Sequence, residues 1–158
     1  LASDKDRDEH EQAVDSVTGP LAEICSSLDV SRPGLLTLPN VHHIATRVEG
    51  ELAGDLSALE IAGILHPTAA VCGTPTEGAL AAIRSLEGMD RGRYAGPVGW
   101  MDARGNGEWA IALRCAEIQG ARGRLFAGGG LVAASEPAAE LEETRLKFRA
   151  MMSVLEGA

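Results

Sequence analysis

The stretch Val98-Gly-Trp-Met-Asp-Ala-Arg-Gly-Asn-Gly-Glu-Trp-Ala-Ile111 decides the fold of this chain. Its two apolar runs flank Arg104-Gly-Asn-Gly107, and an Asn-Gly pair between such runs is a strong signal for a β-hairpin. Strands are predicted from Val98 to Asp102 and from Glu108 to Ile118, and a turn around residues 120–123 leads to another strand from Arg124 to Ala133. The centre of the chain is therefore predicted to be an antiparallel meander.

The segments on either side supply helices and further strands. Residues 35–49 predict strands that turn at Pro39-Asn40, the second of them from Val41 to Val48, because apolar and β-branched residues run throughout. The first helix should break or kink at Gly19-Pro20, since proline removes a donor and clashes with the preceding turn. Helices are also predicted at 56–65, at 76–86 and from Ser135-Glu-Pro137 onward. The sequence thus predicts an α+β fold, with antiparallel β-sheet layers and helices packed outside.

The composition argues against several classes of function. The chain has 23 acidic and 14 basic residues and a net charge of −9, whereas a nucleic-acid partner would need a basic stripe. No apolar run approaches ~20 residues, so no membrane span is predicted. Three cysteines without a CxxC pair favour a reducing, cytoplasmic location. A chain of 158 residues is expected to form one core that buries roughly two-thirds of its unfolded surface.

Acidic residues are grouped near both ends of the chain. Glu140, Glu143 and Lys147 fall within about a 60° arc of a helix, and carboxylates in this arrangement suit a divalent cation. Asp6 and Glu9, again three apart, could close on the same ion. Taken alone, a solvated helix face is the favoured interpretation of the first group, and capping or helix-dipole roles explain the second equally well.

Other positions are candidates for binding an organic ligand. Gly128-Gly129-Gly130 suits either an anion held by backbone N–H groups or a tight bend. Arg114, in an apolar stretch predicted to be a strand, suits either a ligand carboxylate or a structural salt bridge. A lone inward histidine such as His43 is more often a core residue than a catalyst, and Tyr94 either offers its hydroxyl to a ligand or anchors the next strand.

Eight segments, in order along the chain, resemble the C-terminal half of the chorismate-utilising enzymes, and within them the isochorismate synthases. Eight blocks in one order, spread over essentially the whole chain, are far more specific than any single motif. The segments are Ser3-Asp-Lys-Asp-Arg-Asp-Glu-His10, His43-Ile-Ala-Thr46, Leu65-His-Pro-Thr-Ala-Ala-Val-Cys-Gly-Thr-Pro75, Tyr94-Ala-Gly-Pro-Val-Gly-Trp100, Gly105-Asn-Gly-Glu-Trp109, Leu113-Arg-Cys-Ala116, Leu125-Phe-Ala-Gly-Gly-Gly130 and Glu140-Leu-Glu-Glu-Thr-Arg-Leu-Lys147.

The resemblance implies a role for each candidate residue. Glu9 and Glu143 would be ligands of Mg²⁺, with Asp6 and Glu140 beside them holding waters or orienting the ion. The positions that match the family's substrate-binding groups are Tyr94, Arg114, the amides of Gly128 and Gly130, and Lys147. His43, which would face the substrate ring, and Ala70 are the catalytic candidates. Ala70 also marks the isochorismate synthases, because anthranilate-forming relatives usually carry threonine there.

The resemblance implies an isomerase that adds water at C2 of chorismate and expels the C4 hydroxyl. Residues 1–158 would be the C-terminal part of one catalytic domain with two similar halves, and the base and acid would lie in the N-terminal half, which this sequence lacks. We therefore expect the chain alone to be inactive, and to associate with that half or with another copy through an apolar face. Alternatives are salicylate or anthranilate synthesis, and a non-catalytic binding domain. The product would serve a siderophore or menaquinone pathway.

Overall fold

The described part of the chain forms a mixed fold of four helices and four antiparallel strand pairs. The structure, a computed structural model, describes residues 4–38, 41–155 and 157, so the predicted Pro39-Asn40 turn lies outside the described residues. The pairs are β1 with β4, β2 with β3, β5 with β6 and β7 with β8. In chain order the elements are α1 (Asp4–Ile24), β1 (Cys25–Val30), β2 (Gly34–Leu38), β3 (Val41–Ala45), β4 (Val48–Leu52), α2 (Ala58–Leu65), α3 (Thr76–Leu86), β5 (Pro97–Met101), β6 (Gly107–Ile111), β7 (Cys115–Gln119), β8 (Arg122–Phe126) and α4 (Pro137–Leu155). The predicted α+β class is confirmed.

Residues 25–38 and 41–52 form one long antiparallel ribbon. Its outer part pairs β2 with β3, and its inner part pairs β1 with β4. The two parts are joined where Ser31 N–H donates to the Arg47 carbonyl and Arg47 N–H donates to Ser31 Oγ, each over 2.9 Å. The predicted strand from Val41 to Val48 is therefore two strands with a break at residues 46 and 47.

Of the break or kink predicted at Gly19-Pro20, the break is wrong, because helix α1 runs through Pro20. The clash that usually disfavours a helical residue before proline involves the Cβ of that residue, and Gly19 has none. Packing of α1 against β1 and α2 compensates for the hydrogen bond that proline removes. Although α1 and α4 contain 21 and 19 residues, no helix among the described residues is long and apolar enough to cross a bilayer.

The predicted hairpin is present, but the strand predicted to follow it is interrupted. Strands β5 and β6 pair around the Arg104-Gly-Asn-Gly107 turn, with Gly99 opposite Trp109. The prediction of one strand from Glu108 to Ile118 is wrong, because β6 ends at Ile111 and β7 begins at Cys115. The strand predicted from Arg124 to Ala133 ends early, at Phe126. The residues after it form the loop that leads into α4.

Helix α2 is fixed to the hairpin turn at its start. Ser57 and Glu60 form a capping box, and the Ala58 N–H donates to the Gly105 carbonyl over 2.8 Å. Ile61 and Leu65 of α2 line a shallow cleft together with Trp109 of β6. The cap and this apolar contact set the orientation of α2 on the hairpin.

The chain has far more exposed surface than a closed domain of its size. A folded 16.5 kDa monomer should expose about 7,500 Å², whereas this chain exposes 11353 Å². Among the described residues only Ala95, Phe126 and Glu140 are buried, and Trp100 is 59% exposed. The prediction of a single large core is wrong because the apolar faces of the ribbons and helices have no second layer over them within the described residues.

The close approach of β5 and β6 can be tested with a matched pair of glycine substitutions. A Cβ at Gly99 would lie 2.8 Å from Trp109 Cα, whereas a Cβ at Gly63 in α2 would meet nothing within 4 Å. We expect G99A to lower the free energy of unfolding by about 1–3 kcal/mol and G63A to raise it by about 0.4–1 kcal/mol. Denaturant titrations of both variants measure the difference. A G99A variant as stable as G63A would contradict the described strand spacing.

Candidate functional site

The loop Gly128-Gly129-Gly130 lies between β8 and α4 and is surrounded by polar side chains from three parts of the chain. A Cβ at Gly130 would lie 2.6 Å from Glu9 Cδ, so the carboxylate of α1 rests against this backbone. A Cβ at Gly129 would lie 3.5 Å from Glu140 Oε2, and one at Gly128 would lie 3.1 Å from the Tyr94 hydroxyl. Gly130 in particular cannot carry a side chain unless Glu9 moves.

Two lysines neutralise the acids of α4. The Lys147 Nζ lies 2.6 Å from Glu143 Oε1 and donates to the Gly128 carbonyl over 3.1 Å. The Lys5 ammonium, which comes from α1, forms an ion pair with Glu140 Oε1 and lies 3.6 Å from Glu143 Oε2. The two ends of the chain are therefore joined by opposite charges at this loop.

Glu140 is the most unusual of these groups because it is an almost fully buried carboxylate. It is 9% exposed, and neither of its oxygens receives a well-directed hydrogen bond. The contact with Lys5 is the first cause that lowers the pKa of Glu140, a contact with Ser135 is the second, and burial opposes both. The same contact raises the pKa of Lys5. Both groups are therefore charged at neutral pH, as a buried ion pair requires.

Tyr94 is held beside the loop by an aromatic and a cationic neighbour. Its ring stacks on that of Phe126 with a centroid separation of 5.1 Å, and the Arg91 guanidinium lies 5.7 Å from the ring centroid. Burial raises the pKa of Tyr94, and the cations Arg91 and Arg114 oppose that rise. The phenol is therefore protonated near neutral pH and can donate a hydrogen bond.

Arg114 does not lie within a strand as the sequence predicted. It occupies the bend between β6 and β7, it is exposed, and its φ of 50° is left-handed. Non-glycine residues in this region are uncommon and cluster at functional sites. The argument from a charge on a buried strand face is thus wrong for Arg114, although its proximity to Tyr94 keeps it within the site region.

His43 and Ala70 lie in other segments of the chain. His43, in β3, is half-buried and faces the opposite side from His42, as the alternation of a strand predicts. Ala70 lies in a turn that is tied at both ends, because Ser16 Oγ accepts from Ala69 N–H over 3.0 Å and Arg91 donates to the Val71 carbonyl over 2.7 Å. Arg91 therefore links this turn to Tyr94.

The geometry separates the sequence-based candidates into two sets. Seven of them surround the glycine loop or form part of it, whereas His43 lies in β3, Ala70 in the turn before α3 and Arg114 in the bend between β6 and β7, and Asp6 is exposed on α1. The seven are Glu9, Tyr94, Gly128, Gly130, Glu140, Glu143 and Lys147. Lys5 and Arg91 were not among the candidates predicted from the sequence. The only local signal for them is the helical spacing of Lys5 from Glu9 and the short spacing of Arg91 from Tyr94.

The carboxylates at the loop suit Mg²⁺, the cofactor that the sequence predicts. Lys5 pairs with one of the two buried Glu140 oxygens and neither receives a well-directed hydrogen bond, so both are hard ligands of the kind this ion prefers. Within the described ranges, no group of three or more His, Cys, Asp and Glu side chains is placed so that it could hold a metal ion. Mg²⁺ commonly takes one or two carboxylates and completes its shell with water and substrate oxygens. The residues therefore fit a site that a substrate completes, and the cofactor stays a prediction.

Known proteins are similar to this chain in sequence and in fold. The profile of the family described as chorismate binding enzyme matches residues 1–156. The isochorismate synthase DhbC of Bacillus subtilis is 45% identical over 157 residues, which cover 98% of this chain and 39% of that protein. The chain thus spans about two-fifths of the length of this curated relative.

Two solved structures share the fold. The menaquinone-specific isochorismate synthase MenF of Escherichia coli matches with a TM-score of 0.86 and 32% identity, over 98% of this chain and 36% of that one. Anthranilate synthase component I of Streptococcus pneumoniae matches with a TM-score of 0.85 and 30% identity, over 96% and 35%. The fold alone therefore does not separate the two chemistries.

The ion pair behind Tyr94 gives a prediction for pH dependence. The hydrogen bond from Arg91 Nε to Glu87 Oε2, 2.8 Å long, is the first cause that lowers the pKa of Glu87. Because the pKa of Glu87 is lower in the folded protein than its unfolded value of 4.5, its charge stabilises the fold at pH values above 4.5. This stabilisation is lost as the pH falls through the pKa of the folded state. We expect E87Q to lower the free energy of unfolding by about 0.5–1 kcal/mol at pH 7, with the deficit shrinking towards pH 3.

Glu49→Gln is the control, since Glu49 pairs with Arg47 on an open surface and its side chain is 56% exposed. Thermal unfolding from pH 3 to pH 7 compares the two variants. A deficit of E87Q that stays constant across this range would mean that packing, and not charge, is lost.

Proposed function

This chain belongs to the chorismate-binding enzymes, and we propose that the protein that carries it converts chorismate to isochorismate. The observation that carries the proposal is the meeting of Glu9 from α1 with Glu140 and Glu143 from α4 at one glycine loop. A chance pair of solvated helix faces would not be expected to converge in this way. The identity to DhbC, an isochorismate synthase, supports this assignment.

The acidic side of the loop is the proposed site for Mg²⁺. Glu9 and Glu143 would hold the ion, with Glu140 and Asp6 beside them. The ion would anchor the ring carboxylate of chorismate and neutralise its charge. Lys147 keeps Glu143 in place through their 2.6 Å ion pair and fixes the loop through the Gly128 carbonyl.

The opposite side of the loop is the proposed cradle for the enolpyruvyl carboxylate. The Tyr94 hydroxyl, close to Gly128, would donate one hydrogen bond. Arg114 would supply a bidentate guanidinium, and the N–H groups of Gly128 and Gly130 would complete the set, since an open glycine backbone lets an anion approach closely. Burial around Tyr94 keeps the phenol protonated, which is the form that donates.

The proposed reaction adds water at C2 of chorismate while the C4 hydroxyl leaves, with no net redox change. It requires a base that takes a proton from water and an acid that protonates the leaving hydroxyl. We place both in the remaining portion of a longer protein, because the chain spans about two-fifths of its curated relative. The large exposed apolar surface of this chain supports packing against that portion.

The names of relatives support isochorismate as the product more than they support anthranilate or salicylate. DhbC and MenF are isochorismate synthases, and Ala70 stands where anthranilate-forming relatives usually have threonine. Whether the product serves a siderophore or menaquinone follows from neighbouring enzymes and not from this site. The cytoplasmic location stays a prediction, in keeping with the three free cysteines.

Product analysis tests the proposal. We expect the full-length protein to form isochorismate from chorismate with Mg²⁺, and ammonia to leave the product unchanged. The 158-residue chain by itself should give no turnover, because the base and the acid are elsewhere. Chromatography of the products with and without ammonia is the measurement. Anthranilate or salicylate as the main product would overturn the assignment, and turnover by the short chain would overturn the division of the site.

A pair of adjacent glutamates tests the role of the loop. Glu143 faces Lys5 and Lys147 at the loop, whereas Glu142 pairs with Arg145 and its side chain is 64% exposed. We expect E143Q to lower kcat/KM by about 100-fold or more, and E142Q to stay within about twofold of the wild type. Steady-state kinetics on the full-length protein measure both. Equal effects of the two substitutions would count against a site at this loop.

A further inference from the structure

The Lys5 ammonium lies between the acids of the two terminal helices. It pairs with Glu140 Oε1 and lies 3.6 Å from Glu143 Oε2, while the charge of Glu9 adds to the negative field at the same point. Its side chain is only 21% exposed, so the charge is partly removed from water. An ammonium therefore stands where the carboxylates would otherwise repel one another.

The other lysine at the loop is not equivalent. Lys147 lies on α4, four residues from its partner Glu143, and also donates to the Gly128 carbonyl. Lys5 comes from α1 and contacts α4 through its charge. Moving Lys147 would disturb the loop, whereas the flexible Lys5 side chain can leave without displacing any backbone.

A divalent cation at Glu140 would stand next to the Lys5 ammonium, which pairs with the same carboxylate. An ammonium and a dication a few ångströms apart repel strongly in a partly desolvated site. Lys5 pairs with only one Glu140 oxygen, and both buried oxygens still lack a well-directed hydrogen bond. A more highly charged cation would therefore stabilise this buried carboxylate, which lacks well-directed hydrogen bonds, better than the ammonium does.

We infer that Lys5 is a positioning residue that competes with the divalent cation for Glu140 and Glu143. It holds the two carboxylates in place while the cation is absent, and it leaves when the cation binds. The inference rests on the proposed function, because the competing ligand is the ion assigned to this loop.

Lys5→Met tests the competition, because methionine keeps most of the side-chain length and removes the charge. Isothermal titration of the full-length protein with MgCl₂, without chorismate, measures affinity, and thermal unfolding in EDTA measures the metal-free state. We expect K5M to bind Mg²⁺ about three- to tenfold more tightly, the scale of one partly buried ion pair. We also expect a lower melting temperature in EDTA, since the acids then lack their counter-ion.

Two further variants separate competition from a general change in charge. Arg7→Met also removes a positive charge from α1, but the Arg7 side chain is 66% exposed and pairs with Asp4. The Mg²⁺ affinity of R7M should therefore stay within about twofold of that of the wild type. Lys5→Arg keeps the charge and should restore both the wild-type affinity and the melting temperature.

The outcomes distinguish this inference from the function on which it rests. Equal or weaker Mg²⁺ binding by K5M, beside clear binding by the wild type, overturns the competition and leaves the metal site standing. The absence of Mg²⁺ binding in both proteins overturns the metal site and the competition together. Tighter binding by R7M, equal to that of K5M, would also overturn the role of Lys5.

Discussion

The attachment of α1 to α4 across the glycine loop is the contact on which the rest of the site depends. Lys5 pairs with Glu140, and Glu9 rests against the backbone of Gly130, where any side chain would displace it. Without this attachment the acids would be two separate helix faces, each explained by exposure to water. The geometry at the loop, and not the local spacing of the acids, is what favours a ligand site.

The chain in which α1 and α4 are attached has few buried residues among those described. Isolated pairs of strands are marginally stable, and the four pairs among the described residues leave large side chains such as Trp100 and Leu35 exposed. A polar junction between the two ends is thus better defined here than any apolar core. We expect a surface that covers the strand pairs to stabilise such a structure, and the chain spans only 39% of the length of DhbC.

Local signals in the sequence predicted the β5–β6 hairpin, α3 and the start of α4 at Pro137, because each depends on residues close together. They failed where distant packing decides the outcome. Helix α1 continues through Pro20 because β1 and α2 support it, and the polar strand β1 exists because β4 pairs with it. The role of Lys5 could not be predicted, since its partners lie in the last helix.

The net charge of −9 is a poor guide to the ligand of this site. Surface charges are screened over about 8 Å at physiological ionic strength, so an approaching anion responds to the loop itself. At the loop, the lysines offset Glu140 and Glu143, while Arg114 lies close enough to influence Tyr94. Exchange of one ammonium for a dication would make this region more positive. Binding of the dication at Glu140 would then also favour binding of a substrate carboxylate. Cation and substrate would each strengthen the binding of the other.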